Sequence, residues 1–212
     1  MIEIALTTFA ALFVVIDPIG LMPLFAALTR DTTPAMRRSV ALRGSLVGFA
    51  ILLVFGLAGE GLLDLIGIGM PAFRISGGLL LFLIAVEMLF ERRSARREKS
   101  AGTDTPDTGD DPSVFPLATP FIAGPGALAA MILLTGEHSG DPVALVLVHG
   151  VMALVVMSAY ILFLLSGLLD RLIGKTGINM ITRLLGMLLA ALSVQFIVDG
   201  LIGLGVIAGT AG

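Results

Sequence analysis

Phe13-Val14-Val15-Ile16-Asp17-Pro18-Ile19-Gly20-Leu21-Met22-Pro23 is an apolar run with an acid and three helix-disturbing residues at its centre. It lies inside a longer apolar stretch, Ile4 to Leu28, long enough to cross the hydrocarbon core of a bilayer. Pro18 has no backbone donor and its ring clashes with the turn before it. Gly20 accepts backbone angles that other residues refuse. A second apolar stretch, roughly Val114 to Leu134, carries Thr119-Pro120 and Gly124-Pro125-Gly126 at similar depth, with Pro125 placed 107 residues after Pro18. Opened backbone inside a bilayer persists only where protein or a water-filled cavity satisfies it. Two such breaks in matching positions of two halves point to a transporter binding site.

The rest of the chain fits that setting. Its 212 residues are 57% hydrophobic and 14% charged, with a mean hydropathy of +1.03. A soluble domain would be far less apolar, and repeated runs of about 20 apolar residues indicate one polytopic membrane domain. The formal net charge of −3 comes with no basic surface of the kind nucleic acid requires. The absence of cysteine excludes disulfides, thiolate metal sites and cysteine catalysis. Met1-Ile2-Glu3 lacks the positive start of a signal peptide, so the first span reads as mature structure.

Six spans are expected, at about 4–28, 40–63, 71–90, 114–134, 142–169 and 179–205. Residues 91–113 form a linker that opens basic (Arg92, Arg93, Arg96, Arg97, Lys99) and turns acidic (Asp104, Asp107, Asp110, Asp111), a composition that favours mobility. Residues 1–90 and 114–212 are then two three-helix halves. Loop one holds Arg30, Arg37, Arg38 and Arg43, and loop five with the start of span six holds Arg171, Lys175 and Arg183. Loops two and four hold no Lys or Arg, so loops one, three and five are expected in the cytoplasm and both termini outside. Arg74-Ile75-Ser76-Gly77 opens span three and Arg183-Leu184-Leu185-Gly186 opens span six, 109 residues later. With three spans per half, the second copy inserts upside down, the pattern of an inverted 3+3 repeat.

The candidate binding residues are Asp17, Pro18, Gly20, Thr119, Gly124, Pro125 and Gly126. A carboxylate near the midplane needs a partner, a proton or water. Asp17 therefore reads either as a binding or coupling group or as a backbone-bonded lock on the break. Helices resuming at Gly20 and after Gly126 offer free N–H groups and positive dipole ends that suit a small carboxylate. Asp17 and the freed carbonyls before it suit an ammonium group, and together these ends suit a zwitterion. Glu87 and Asp199 read as interfacial acids, and His149 as a packing histidine. Ser193 and Gln195 either line a cavity or bond between helices. Gly44-x-x-x-Gly48 and Gly205-x-x-x-Gly209 suit close helix packing. No P-loop, His-Glu-x-x-His or Gly-x-Ser-x-Gly occurs, so neither ATP drive nor these enzyme chemistries are expected. No cofactor or metal is expected.

Three segments carry a resemblance to a known family. They are Phe13 to Pro23 as quoted above; Phe73-Arg74-Ile75-Ser76-Gly77-Gly78-Leu79 with Glu87-Met88-Leu89; and Phe115-Pro116-Leu117-Ala118-Thr119-Pro120-Phe121-Ile122-Ala123-Gly124-Pro125-Gly126. In these the chain resembles the MarC family of integral membrane proteins, over almost its whole length. The family is named for multiple antibiotic resistance, and some relatives are described as transporters of small neutral amino acids. The resemblance thus implies the zwitterion geometry's substrate class. The resulting expectation is a secondary transporter of small neutral amino acids or similar metabolites in the cytoplasmic (inner) membrane. Its partners would be the lipid bilayer, a small-molecule substrate and a coupling ion, proton or sodium. A channel or a non-transporting scaffold is the alternative.

Overall fold

A computed structural model describes residues 1–93, 95–97 and 111–208, with Asp170 and Arg171 described by their backbone alone. Ser94, most of the expected linker (98–110) and the C-terminal 209–212, with Gly209 of the second small-residue motif, lie outside the described residues. All regular structure described is helical: α1 (Ile2–Ile16), α2 (Pro18–Leu28), α3 (Pro34–Leu65), α4 (Met70–Leu89), α5 (Ser113–Ile122), α6 (Pro125–Gly136) and α7 (Pro142–Gly203).

The helix starts follow from local sequence. Pro34 and Pro142 stand at first helical positions, where a missing N–H costs nothing. Thr33 caps α3 through the Met36 N–H, and Asp141 caps α7 through the Val143 and Ala144 N–H groups. α5 is irregular: Phe115 and Thr119 have extended backbone, the conformation a following proline imposes, and the Phe115–Pro116 and Thr119–Pro120 peptide bonds are cis. Expected loop five differs from a loop. The helix runs through it, interrupted at Gly174 alone, whose φ of 65° suits a residue without Cβ.

Five stretches are long and apolar enough to cross a membrane: Ile2–Leu28, Pro34–Leu65, Met70–Leu89, Pro142–Leu169 and Leu172–Gly203. A sixth arises if α5 and α6, bent by 54° to one another, count as one span. The packing of α3 favours that count. A Cβ at Gly44 would meet Leu117, at Gly48 Ile122, at Gly56 Met131 and at Gly59 Ile132. The glycine face of α3 therefore runs parallel to α5–α6 from residue 44 to residue 59, about 22 Å at the helical rise.

Contacts also order the two ends of the bundle. One end gathers Arg43 with Asp111, Arg37 with Ser166, and Arg183 with Glu91. The other gathers Gly136 with Met70, and Gly200 and Gly203 with Pro71. The polar pairs concentrate at the first end, where the basic loops meet. α1–α2 and α6 form the centre: 61% of the most apolar α1–α2 window and nine of the twelve α6 residues are buried, whereas the other four long spans, at 22–39%, face outward. The core around them includes Leu12, Ile16, Leu21 and Phe25, with Phe25 stacked on Phe163 of α7.

Candidate functional site at the two helix breaks

Asp17 is the hinge between α1 and α2. Its φ of 55° and ψ of 62° put it in the left-handed region that aspartate tolerates better than most residues. This ends α1 and lets the same residue cap α2: Asp17 Oδ1 accepts the Gly20 N–H at 3.0 Å. A Cβ on Gly20 would strike that carboxylate, so the cap needs a glycine there. Pro18 occupies the first position of α2, where its lost N–H is harmless.

A carboxylate 1% exposed has to be neutralised, and Arg97 from beyond α4 pairs with it, with Arg93 on the carbonyl next door. Arg97, itself 8% exposed, donates Nη1 to Asp17 Oδ2 at 3.3 Å and Nη2 to the Ile16 carbonyl at 3.2 Å. Arg93 donates Nη2 to the Val15 carbonyl and stands 3.0 Å from Met88 Sδ. The carbonyls freed at the end of α1 are thus taken by guanidinium groups, whose rigid fork suits such a cluster. Thr182, on the second arm of α7, completes the set at 3.5 Å from Asp17 Oδ1. Asp17 and the carbonyls at the end of α1 are therefore held within the chain, as buried charge and backbone must be paired.

The second break meets the first. Gly124 and Pro125 open α6, and a Cβ at Gly126 would press on Ile84 and lie 3.3 Å from Val15 Cγ1. Val15 of α1 and the start of α6 line one cavity of about 210 Å³, together with Glu87, Arg93, Arg96 and Arg97. A second cavity of about 190 Å³ lies beside Gly20 and Pro23 of α2, with Glu91, Arg97, Lys175 and Asn179 around it. Arg97 lines both. Each cavity therefore has the opening turn of one helix on its wall together with cationic side chains, Arg93, Arg96 and Arg97 in the larger and Arg97 and Lys175 in the smaller. The chemistry offered is strongly anion-attracting, with Glu87 and Glu91 as acidic counterpoints.

The seven sequence candidates divide. Asp17, Pro18 and Gly20 form the first break, and Gly124, Pro125 and Gly126 line the second. Thr119 is exposed and borders neither cavity, because the extended backbone before Pro120 turns it away. Arg93, Arg97 and Thr182 were missed as site residues. The arginines read as solvated linker charges, although an unpaired midplane acid calls for a cation nearby. Glu87 pairs with Arg96. His149 bonds the Leu145 carbonyl through Nδ1, Ser193 bonds the Ala190 carbonyl, and Gln195 is exposed beside Asp199. Among the described residues no group of three or more His, Asp or Glu could hold a metal ion.

Five apolar helical stretches long enough to cross a membrane, six with α5 and α6 taken together, define a multi-pass integral membrane protein. The family model of the MarC family integral membrane proteins matches residues 2–204. The chain belongs to the MarC family. It is 34% identical over 192 residues to the UPF0056 inner membrane protein YhgN of Escherichia coli K12, covering 90% of this chain and 92% of that one. A UPF0056 membrane protein of Methanocaldococcus jannaschii is 37% identical over 204 residues, covering 92% and 94%. One from Aquifex aeolicus is 34% identical over 193 residues, covering 91% and 90%. No solved structure matches the chain.

Proposed function

We propose that this protein is a secondary transporter of small neutral amino acids or similar small metabolites, set in the inner membrane with both termini outside. One observation carries the reading: the opening turns of α2 and α6 each border a cavity, and a buried Asp17–Arg97 pair stands between the two. A scaffold would have no use for cavities and a desolvated ion pair in its buried centre. Pockets for drug-sized ligands run from roughly 300 to 1,000 Å³, so cavities near 200 Å³ suit a solute of few atoms. The opening turn of α6 with Arg93 and Arg96 suits its carboxylate, and Glu87, or Asp17 behind Arg97, its ammonium group.

The inverted 3+3 arrangement gives such a site its motion. Gly78 of α4 packs on Ser193 and Ile197, Gly186 packs on Ala85 and Met88, and Gly200 packs on Pro71 and Ile75. α4 and the second arm of α7 are thus antiparallel partners, which supports pairing of spans three and six. Rocking of one half on the other would open the breaks to each side in turn. A proton on Asp17, or sodium at the α1 carbonyls, would provide coupling.

Reconstituted protein should take up radiolabelled alanine, glycine or serine down a sodium or proton gradient. Gly126→Ala, which intrudes on Ile84 at the mouth of α6, should slow uptake with the protein still folded. Absence of uptake for every amino acid in a panel would favour the channel or scaffold alternative.

A further inference from the structure

The cation half of the site is already filled by the chain itself. Asp17 Oδ2 and the Ile16 carbonyl hold the two terminal nitrogens of Arg97, and the Val15 carbonyl holds Arg93. One carboxylate and two carbonyls at the C-terminal end of a half-helix would equally suit an ammonium group. The stretch bearing both arginines is fastened to the bundle by two pairs only partly buried, Arg96 with Glu87 and Arg183 with Glu91. Such pairs are weak fastenings. Arg97 is well seated by contrast, and its side chain is a wall common to both cavities.

We propose that Arg97 is a tethered gating cation: it holds the place at Asp17 and the Ile16 carbonyl that the cationic group of a solute must take, and it partitions the two cavities until displaced. The proposal rests on the carrier reading above. A solute then binds only the fraction of molecules in which Arg97 has left its seat, so its apparent affinity falls by that fraction. The displaced guanidinium can share Glu91, which holds Arg183 at the rim of the smaller cavity. A solute without a cationic group has nothing with which to replace Arg97.

The chain contains no cysteine, so single reporters can be introduced cleanly. Ala127→Cys reports on the larger cavity and Ile178→Cys on the smaller, both from positions at most 3% exposed. Exposed Asp31→Cys, on the side of the basic loops, is the control. A small charged thiol reagent applied from the side of the basic loops should label both cavity reporters slowly. Adding Arg97→Ala should raise both rates tenfold or more and leave the control unchanged. Where Arg97→Ala does not fold, Arg97→Gln and Asp17→Asn carry the same expectation. Unchanged labelling in a folded variant overturns the proposal, even if transport stands. The labelling needs no solute, so a wild type that transports nothing would sink the carrier reading separately. In proteoliposomes Arg97→Gln should lower the KM for an amino acid several-fold. A raised KM would make Arg97 a solute ligand rather than a competitor, and would equally overturn the proposal.

Discussion

Asp17 closes α1 and opens α2 with its backbone, caps α2 with one carboxylate oxygen and holds Arg97 with the other. Asparagine can imitate the first two roles but not the third. Removing one partner of a buried ion pair costs about 3–5 kcal/mol, because the other charge is left uncompensated. Asp17→Asn and Arg97→Gln should therefore each destabilise the protein strongly, while the double variant should cost clearly less than the two together. Thermal denaturation in detergent checks this, and strict additivity would mean that the pair does not couple. At the end of the bundle, Asp111 behaves differently. The Ser113 hydroxyl and N–H, and then Arg43, hold its carboxyl below the usual carboxylate range. A lowered value in the folded state means stability that is present above the unfolded-state value of 3.8 and is lost as pH falls through the folded one. Because the pair with Arg43 is exposed, Asp111→Asn should cost about 1 kcal/mol or less at neutral pH, a difference that disappears in acid. Asp17 itself was legible in the sequence, since a lone acid between apolar residues and a proline stands out. Its partners were not. Arg93 and Arg97 lie among five basic residues of a linker, and only their contacts with Val15, Ile16 and Asp17 distinguish them from exposed Arg92.

Among the elements, α3 separates glycines that matter from those that do not. A Cβ at Gly48 would overlap Ile122, whereas Gly61 faces open space. Gly48→Val should cost about 1–3 kcal/mol through overpacking. Gly61→Ala should be neutral or stabilise by up to about 1 kcal/mol, as alanine replaces glycine in a helix. Equal effects at the two positions, measured by denaturation, would contradict the pairing of α3 with α5–α6. The Gly44-x-x-x-Gly48 spacing announced this face, because small residues four apart fall on one side of a helix. What the sequence concealed was the shape of its partner. Pro116, Pro120 and Pro125 mark a disturbed span, but a bend of 54° between α5 and α6 depends on what packs around it. The join at Gly174 was hidden for the opposite reason. Charged and polar residues around it read as a loop, yet each fits a helix that protrudes beyond the apolar core.

For the whole molecule, the concentration of Arg37, Arg43 and Arg183 contacts at one end makes a prediction about sidedness. In right-side-out vesicles Gly67→Cys and Ser139→Cys should react with an impermeant thiol reagent, and Asp31→Cys should react only after permeabilisation. Reversed labelling would invert the orientation and remove the outside termini. In the proposed carrier the opening turns of α2 and α6, with Asp17 and Arg97 between them, form one solute site that faces each side in turn. Counterflow tests it most directly. Proteoliposomes loaded with unlabelled alanine and diluted into trace radiolabelled alanine, with no ion gradient, should accumulate label transiently above equilibrium. Asp17→Asn vesicles should not, at equal amounts of folded protein. Label that merely equilibrates, or an overshoot that survives Asp17→Asn undiminished, would contradict the account.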